Sequence, residues 1–315
     1  MAAQTIPIVI LGGSDRRPSR LPAEGRDKHP LSGFKGVDLR IGGKPVIEII
    51  LDRLEACGAF GPIFVAGPAP VYATIESRAI LIDTNDTFGR NIGRAIAEVS
   101  KRHPGTAVAF TTCDILPDVE VLAAAMADWS LSQPFDLWYP MIRVPRDRAL
   151  LGASAWKPFY RVASERGQPE VELLPGHLLV ADTDALRLRF IDRLLDAGYR
   201  TRNRSVLYRL TVLVGGLAGG ILVQDLLHVL GGRLPTLTGD TIGAGIMAGA
   251  KLRKGSATIA DLEGAIRRIF VKRRHRDRYP DRRVALPLLE GLSLALDIDT
   301  EEEAREKDET SRRTA

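Results

Sequence analysis

Glycines and carboxylates that could bind a nucleotide follow apolar segments that lie far apart in the chain. The apolar run Ile6–Leu11 leads directly into Gly12-Gly13-Ser14, a turn whose backbone N–H groups can contact phosphate. A second apolar run ends at Phe110 and is followed shortly by Asp114. Near the end of the chain, Asp297 and Asp299 flank one residue, so in an extended backbone their side chains point to the same side. Because hard cations prefer such oxygen ligands, the combination indicates a metal-assisted nucleotide site.

Length and composition allow a large core without covalent reinforcement. A chain of 315 residues can bury enough apolar surface to fold without disulfides or a structural metal. The two cysteines, Cys57 and Cys113, stand in apolar surroundings and are predicted to be reduced thiols, as is usual in the cytosol. No basic segment followed by a long apolar run opens the chain, so we predict no secretion signal and a cytoplasmic location.

The first 145 residues alternate between short apolar runs and helical patterns. Continuous apolar runs are typical of parallel strands covered on both faces, and helices between them act as right-handed crossovers. The predicted strands are Ile6–Leu11, Ile63–Ala66, Ala79–Ile82, Ala107–Phe110 and Asp136–Ile142, and the predicted helices are Val46–Ala56, Asn91–Lys101 and Val119–Trp129. Ligands of such sheets bind at the carboxyl ends of the strands, where Gly12, Gly13 and Asp114 lie.

The pattern changes after about residue 150, where helical spacing dominates. The predicted helices are Asp184–Ala197, Arg204–Gly215, Ile221–Leu230, Ile242–Leu252 and Ile259–Lys272, and strands return at Arg283–Leu286 and Leu292–Asp297. We therefore predict one domain over residues 1–300, with a core at 1–150 and 283–300 and a helical insertion at about 151–282. Residues 301–315 form a polar tail, predicted as a short fraying helix.

Several motifs resemble the MobA-like nucleotidyltransferases and the wider sugar-nucleotidyltransferase group. They are Leu11-Gly12-Gly13-Ser14, Lys35 followed by Gly43-Lys44-Pro45, Thr112-Cys113-Asp114 with Pro117, and Leu296-Asp297-Ile298-Asp299-Thr300. The resemblance implies a three-layer α/β/α core of the GT-A-like, Rossmann-like type with a mostly parallel sheet. It also implies transfer of a nucleoside monophosphate from a nucleoside triphosphate to a phosphorylated acceptor, with release of pyrophosphate. The acceptor class stays open among a sugar phosphate, a cofactor phosphate and a lipid-linked phosphate.

The same resemblance implies roles for individual residues. Nucleotide binding falls to Leu11, Gly12, Gly13, Ser14, Lys35, Asn91 and Asp114, and catalysis to Lys35 and Asp114. Asp114 and Asp297 are the expected Mg²⁺ ligands, with Asp299 in reserve. Lys157, Arg161 and His177 are candidates for acceptor binding, because they lie where relatives carry acceptor-facing strands. Lys35 follows an inserted stretch at 15–34, so Arg16, Arg17 and Arg20 compete with it for the phosphate role.

Some of these residues also have ordinary structural interpretations. Asp114 could cap the helix that begins near Pro117, and Asp299 could cap the C-terminal helix with Glu302 three residues on. His177 could be a structural hydrogen-bonding residue. A catalytically silent nucleotide-binding protein of the same fold is the main functional alternative. A dinucleotide-binding oxidoreductase fits less well, because the third glycine of G-x-G-x-x-G is missing.

Two surface features bear on partners. The basic residues within 267–283 are expected to be a solvated helix end or an anion-binding face, and without interleaved aromatic residues they do not indicate nucleic acid. The uncharged run Leu210–Val223 is shorter than the ~17 residues that a spanning helix needs. A buried helical hairpin is the main expectation for it, and peripheral membrane contact through 205–232 and 267–283 is the alternative.

Overall fold

The strand and helix boundaries follow the predicted alternation closely in the first half of the chain. The computed structural model describes residues 5–14, 21–201, 225–226, 229–230 and 238–314. Its strands are β1 Ile6–Leu11, β2 Arg40–Ile41, β3 Lys44–Pro45, β4 Phe60–Gly67, β5 Ile80–Asp83, β6 Val108–Thr112, β7 Phe135–Trp138, β8 Met141–Arg143, β9 Tyr160–Ala163, β10 Glu170–Pro175, β11 Leu178–Ala181, β12 Arg283–Ala285 and β13 Leu288–Leu289. Its α-helices are α1 Lys35–Asp38, α2 Val46–Cys57, α3 Ala69–Tyr72, α4 Phe88–Arg102, α5 Val119–Leu131, α6 Leu188–Thr201, α7 Ala244–Arg253, α8 Ile259–Phe270, α9 Arg273–Arg278 and α10 Glu301–Thr314.

A seven-stranded, mostly parallel sheet forms the middle layer. Its strand order is β12-β7-β11-β6-β1-β4-β5, in which β11 pairs antiparallel with both of its neighbours. β1 lies between β4 and β6 and is parallel to both, so the Gly12 turn and the end of β6 reach the same edge of the sheet. This arrangement confirms the predicted mostly parallel α/β fold.

Helices cover both faces of this sheet and make three layers. Alternation along β1 sends Ile8 and Ile10 to one face, where they join a core with the apolar residues of α2 and α5. Val9 points to the other face and packs in a second cluster with Ile96 and Val99 of α4. Because both faces are buried, the strands read as continuous apolar runs in the sequence.

Strands lie where the sequence predicts mainly helix after residue 150. β9 and β10 join β8 and β13 in a four-stranded sheet of order β13-β8-β10-β9, and β11 enters the central sheet. The predicted insertion at 151–282 therefore contributes one strand to the core itself. The helices α6, α7 and α8 confirm the helical prediction for the described part of the remainder, while residues 202–224 lie outside the described residues.

Two predicted strands differ from the structure. The segment Asp136–Ile142 divides into β7 and β8 around Pro140, and the two pieces belong to different sheets. The prediction of a strand at Leu292–Asp297 is wrong, because Leu292–Leu294 forms a 3₁₀ turn after Gly291, whose φ is 113°. Asp297 makes only an isolated bridge to Ile115, next to the end of β6.

Candidate active site

The turn after β1 is held by the ring of Tyr72. The backbone N–H of Gly12 donates to Ala66 O at 2.8 Å, and the hydroxyl of Tyr72 donates to Gly12 O at 3.0 Å. A Cβ on Gly12 would lie 2.7 Å from the Tyr72 ring, so only glycine fits this position. Burial raises the pKa of Tyr72, so its hydroxyl stays protonated and available as a donor. The turn is thereby fixed with Leu11, Gly13 and Ser14 lining a cavity.

Lys35 lies at the start of α1 and points into a group of carboxylates. Its side chain is buried, with Nζ 3.1 Å from Asp114 Oδ2 and 2.6 Å from Asp299 Oδ1. Close packing brings α1 here, because the Cα of Gly36 faces Cys113 so tightly that a Cβ would lie 3.1 Å from the Cys113 Cβ. The structure thus brings together three residues that are 79 and 264 positions apart in sequence.

Asp114, Asp297 and Asp299 offer oxygen atoms that all lie within 4.8 Å of one another. Two backbone contacts hold the C-terminal segment in place: Ile298 N–H donates to Asp114 O at 2.8 Å, and Leu31 N–H donates to Asp299 O at 2.8 Å. The three carboxylates therefore converge although the predicted strand that was to present two of them does not form.

Lys157 is the second buried lysine of the cluster. Its Nζ lies 2.5 Å from Asp297 Oδ1, 3.3 Å from Asp299 Oδ2 and 3.4 Å from Glu303 Oε1. It also donates to the backbone carbonyl of Asp297 at 2.5 Å. Asp299 is thus shared between the two lysines, while Asp114 contacts Lys35 and Asp297 contacts Lys157.

The charges of the cluster shift the pKa values of its members in different directions. Burial alone lowers the pKa of Lys35 and of Lys157, but the neighbouring carboxylates raise both by more, so both lysines carry their charge. Burial alone raises the pKa of Asp299, but the charges of Lys157 and Lys35 lower it by more. Its pKa therefore lies below the ordinary value. For Asp297, burial and the charge of Asp299 outweigh Lys157, and its pKa is raised.

Asp299 does not cap the C-terminal helix. Thr300 is the residue before α10, and its Oγ1 accepts from Glu303 N–H at 3.3 Å. The Glu303 carboxylate accepts in return from the backbone N–H of Thr300 at 3.1 Å and of Asp299 at 2.7 Å. The capping-box interpretation with Asp299 and Glu302 is therefore off by one residue, and the Asp299 side chain points to Lys35 instead. Similarly, α5 begins after Asp118, so Asp114 does not cap it.

Of the remaining predicted site residues, His177 and Asn91 line the cavity and Arg161 does not. His177 lines the cavity, with Nδ1 3.4 Å from Thr112 Oγ1 and Nε2 3.7 Å from Asp297 Oδ1. Asn91 also lines the cavity, and its amide is fixed by two hydrogen bonds to the backbone of Asp86. Arg161 is not brought to the cavity, because it pairs with Glu172 on the exposed face of β9 and β10.

Part of the basic run at 267–283 contacts a buried carboxylate. The fully buried Asp136 on β7 accepts from Arg267 Nε at 3.2 Å and from Arg282 Nε at 2.9 Å, and its Oδ1 lies 3.0 Å from His275 Nε2. The expectation of a purely solvated helix end or a free anion-binding face is therefore wrong for Arg267 and Arg282. The predicted contact segment 205–232 lies largely outside the described residues, as do Arg16, Arg17 and Arg20. Among the described helices, none is both long and apolar enough to cross a membrane.

The cavity itself has a volume of about 1170 Å³ and is lined by both polar and apolar side chains. The carboxylate cluster, Lys35 and His177 line the polar end together with the glycine turn. Both cysteines are free thiols, and Cys113 is buried beside the cluster. Burial raises the Cys113 pKa to about 12, which excludes a thiolate nucleophile at neutral pH.

The donor set fits a hard divalent cation. Oδ1 of Asp114 is buried and has no hydrogen-bond partner among the described residues, whereas both oxygens of Asp299 contact lysines. Carboxylate oxygens alone, with room for water beside them, are what Mg²⁺ requires. Sequence reasoning did not identify Tyr72 and Glu303 as supports of this site; the Thr300-x-x-Glu303 pattern was the available signal for the latter.

Comparison with known proteins bears on the fold and the family of the chain. The chain is similar over 96% of its length to all of a hypothetical transferase from Thermus thermophilus, at 18% identity and a TM-score of 0.54, which supports the fold. It also aligns over 99% of its length with all of a 4-diphosphocytidyl-2C-methyl-D-erythritol synthase from Anaerococcus prevotii, at 8% identity and a TM-score of 0.46. Sequence comparison with proteins of curated function gives no match. Residues 32–188 match the family model of the MobA-like NTP transferase domain. This segment therefore belongs to the MobA-like NTP transferase family, and the protein is an enzyme of the nucleotidyltransferase class.

Proposed function

We propose that this protein transfers a nucleoside monophosphate from a nucleoside triphosphate to a phosphorylated acceptor, with Mg²⁺ as cofactor and pyrophosphate as leaving group. The observation that carries the proposal is the contact of Lys35 with Asp114 and Asp299 beside the glycine turn, within one cavity. A cation, a carboxylate cluster and a phosphate-binding turn are together what phosphoryl-group chemistry needs.

The turn after β1 supplies backbone donors for the triphosphate. Gly13 and Ser14 line the cavity, and their N–H groups donate to no described residue. Lys35 adds a fixed positive charge, because the carboxylates that raise its pKa keep it protonated. Charge from Lys35 at the phosphates favours departure of pyrophosphate, since negative charge develops on the leaving group in the transition state.

Asp114 and Asp297 are the residues that would hold the metal. The unpartnered Oδ1 of Asp114 supports this choice over Asp299, whose oxygens both contact lysines. A bound Mg²⁺ would supply charge neutralisation at the phosphate oxygens and orientation of the attacking group. Lys35 and Lys157 also neutralise charge on the carboxylates and hold them together.

The acceptor side is formed by His177. His177 lies between Thr112 and Asp297, where an imidazole can orient a phosphate oxygen of the acceptor. Lys157 is not among the residues that line the cavity, and its contacts with Asp297 and Asp299 hold these carboxylates in place. Asn91 and the Asp86 loop line the nucleoside side of the same cavity.

A cytoplasmic location is part of this proposal. Nucleoside triphosphates are available there, and two free thiols accord with a reducing compartment.

Measurement of binding and turnover on one preparation tests the proposal. We expect at least one nucleoside triphosphate with Mg²⁺ to raise the melting temperature, because a ligand that binds only the folded state stabilises it. Pyrophosphate release should then require a phosphorylated acceptor and should be lost in Asp114→Asn. Asp281→Asn, which changes an exposed carboxylate outside the cavity, is the matched control. Stabilisation without turnover on any acceptor would favour the catalytically silent alternative, and no stabilisation by any triphosphate would contradict nucleotide binding.

A further inference from the structure

The cavity continues beyond the carboxylate cluster along one face of the central sheet. Residues 110–114, at the end of β6 and just after it, line the cavity, and Phe110 and Thr112 lie on the same face of β6. His177, which precedes β11, and Leu179 on β11 also line it. Thr112 contacts His177 at the cluster, and Phe110 pairs with Leu179 one step deeper. Two residues of strand span ~7 Å, so the lining changes from polar to apolar within that distance.

Three helices enclose the apolar part of the cavity. Ile92 of α4 lines one side, and Leu188 and Ile191 of α6 lie over the sheet face. Ile266 and Phe270 of α8 close the far side, where α8 also packs against α6 and β12. The side chains named here are apolar, and Asp196, the acidic residue of α6 that also lines the cavity, is already paired with the Thr87 hydroxyl and the Gly89 N–H.

The inward-facing apolar side chains are not fully buried. Leu188, Ile191, Ile266 and Phe270 remain partly accessible although they pack against the buried cluster of β7, β11 and β12. Apolar side chains that face the interior ordinarily exclude solvent completely, because each exposed methylene forfeits burial energy. The cavity volume of about 1170 Å³ also exceeds the ~300–1,000 Å³ typical of sites for one small ligand.

We propose that the acceptor is a lipid phosphate, a phosphate monoester on a hydrocarbon chain. Its phosphate lies at the polar end beside His177, and its chain lies along Leu179, Leu188 and Phe270. The nucleotide occupies the remaining polar volume at the glycine turn. This inference rests on the proposed nucleotidyl transfer and specifies its acceptor class. In the chemical step, a phosphate oxygen of the lipid attacks the α-phosphorus of the triphosphate and forms a new P–O bond. The bond from the α-phosphorus to the oxygen that bridges to the β-phosphate breaks, and pyrophosphate leaves.

Chain-length dependence of binding tests the acceptor class. Dimethylallyl, geranyl and farnesyl monophosphate are titrated calorimetrically into the full-length protein with Mg²⁺, with and without the stabilising triphosphate. Each isoprene unit that enters the apolar part should tighten the dissociation constant about tenfold or more, because it buries five carbons. Dioctanoyl phosphatidic acid, titrated in parallel, distinguishes a diacyl from a prenyl chain as the source of the hydrocarbon.

Two substitutions change the apolar part without touching the polar end. Ile266→Trp fills the space with an apolar ring, and Leu188→Gln introduces a polar group, so one variant remains informative if the other folds poorly. Both should abolish the chain-length dependence while leaving the dissociation constant of the triphosphate within twofold. Leu131→Gln, at an 87% exposed position on α5, is the control and should bind as wild type.

The outcomes separate this inference from the function on which it rests. Triphosphate binding together with equal affinity for all chain lengths would overturn the lipid acceptor and leave nucleotidyl transfer intact. Prenyl alcohols that bind as tightly as the phosphates would likewise overturn it, because the phosphate would then contribute nothing. Loss of triphosphate binding itself would contradict the proposed function instead.

Discussion

Glu303 links the C-terminal helix to the carboxylate cluster, and Glu303→Ala should therefore affect both stability and activity. Its side chain is 2% exposed. It accepts from Ser154 Oγ at 2.7 Å and from the backbone N–H groups of Asp299 and Thr300 at 2.7 and 3.1 Å. Removing one partner of a buried charged contact costs about 3–5 kcal/mol, and the Ser154 hydroxyl and the Thr300 N–H left behind are buried, so we expect a loss of about that size in the free energy of unfolding. Transfer should fall about 10- to 100-fold, because the backbone that orients Asp299 loses its acceptor.

Urea denaturation followed by far-UV circular dichroism measures the stability loss, with the midpoint shifting at constant slope. Glu309→Ala is the matched control, since it makes the same change at an exposed position of the same helix, and it should shift stability by less than ~0.5 kcal/mol. Glu303→Gln keeps an acceptor oxygen but removes the charge, so its loss of unfolding free energy should lie between those of Glu303→Ala and Glu309→Ala. A loss below ~1 kcal/mol in Glu303→Ala would refute the reasoning, because the three hydrogen bonds would then have no energetic consequence.

Three further predictions follow from the described contacts. Lys35→Met should slow transfer ~10³-fold in steady-state kinetics, and calorimetry should show that it weakens binding of the triphosphate more than binding of the monophosphate. A near-normal rate would assign the phosphate role to the arginines at 16, 17 and 20 instead. Asp136→Asn should lower the free energy of unfolding by about 3 kcal/mol in urea, because the partly exposed cations around Asp136 can recover only part of their lost contacts from water; an unchanged midpoint would contradict this. The hydrogen bond and charge of Glu302 raise the pKa of His29, and His29 lowers the Glu302 pKa to about 2. The pair therefore stabilises the fold fully between about pH 4.5 and 6.5; this contribution is lost as pH rises through the raised pKa of His29 and as pH falls toward that of Glu302. An NMR titration should show the His29 pKa decreasing in Glu302→Gln, and an unchanged value would exclude the pairing in solution.

The sheet and its site edge could be predicted because local sequence and tertiary position agree there. β1 runs from Ile6 to Leu11 as predicted, since an apolar run ended by glycines has few alternatives to a buried strand. Pro140 explains why the predicted strand at 136–142 divides, because proline has no N–H for the sheet. β10 was missed as a strand within a helical region although Glu170-Val171-Glu172-Leu173 alternates with period two.

The site was predictable in its residue types but not in its full set of contacts. Lys35 and the three aspartates carry the motif, whereas the pairing of Lys157 with Asp297 depends on a contact over 140 positions that no local pattern encodes. The role of Asp299 was open between capping and ligand binding, and the structure excludes capping because Thr300 takes the cap. Arg161 was predicted to bind the acceptor from its position in the sequence, but in the structure it pairs with Glu172 on the neighbouring strand instead.

The fate of isotopic label from the triphosphate tests the central claim most directly. The triphosphate that stabilises the protein is supplied with ³²P at either the α or the γ position, together with Mg²⁺ and the phosphorylated acceptor. We predict that α-label appears on the acceptor and γ-label in pyrophosphate, and that chelation of Mg²⁺ or Asp114→Asn stops both. Appearance of γ-label on the acceptor, or turnover that persists in Asp114→Asn, would contradict nucleotidyl transfer at this site.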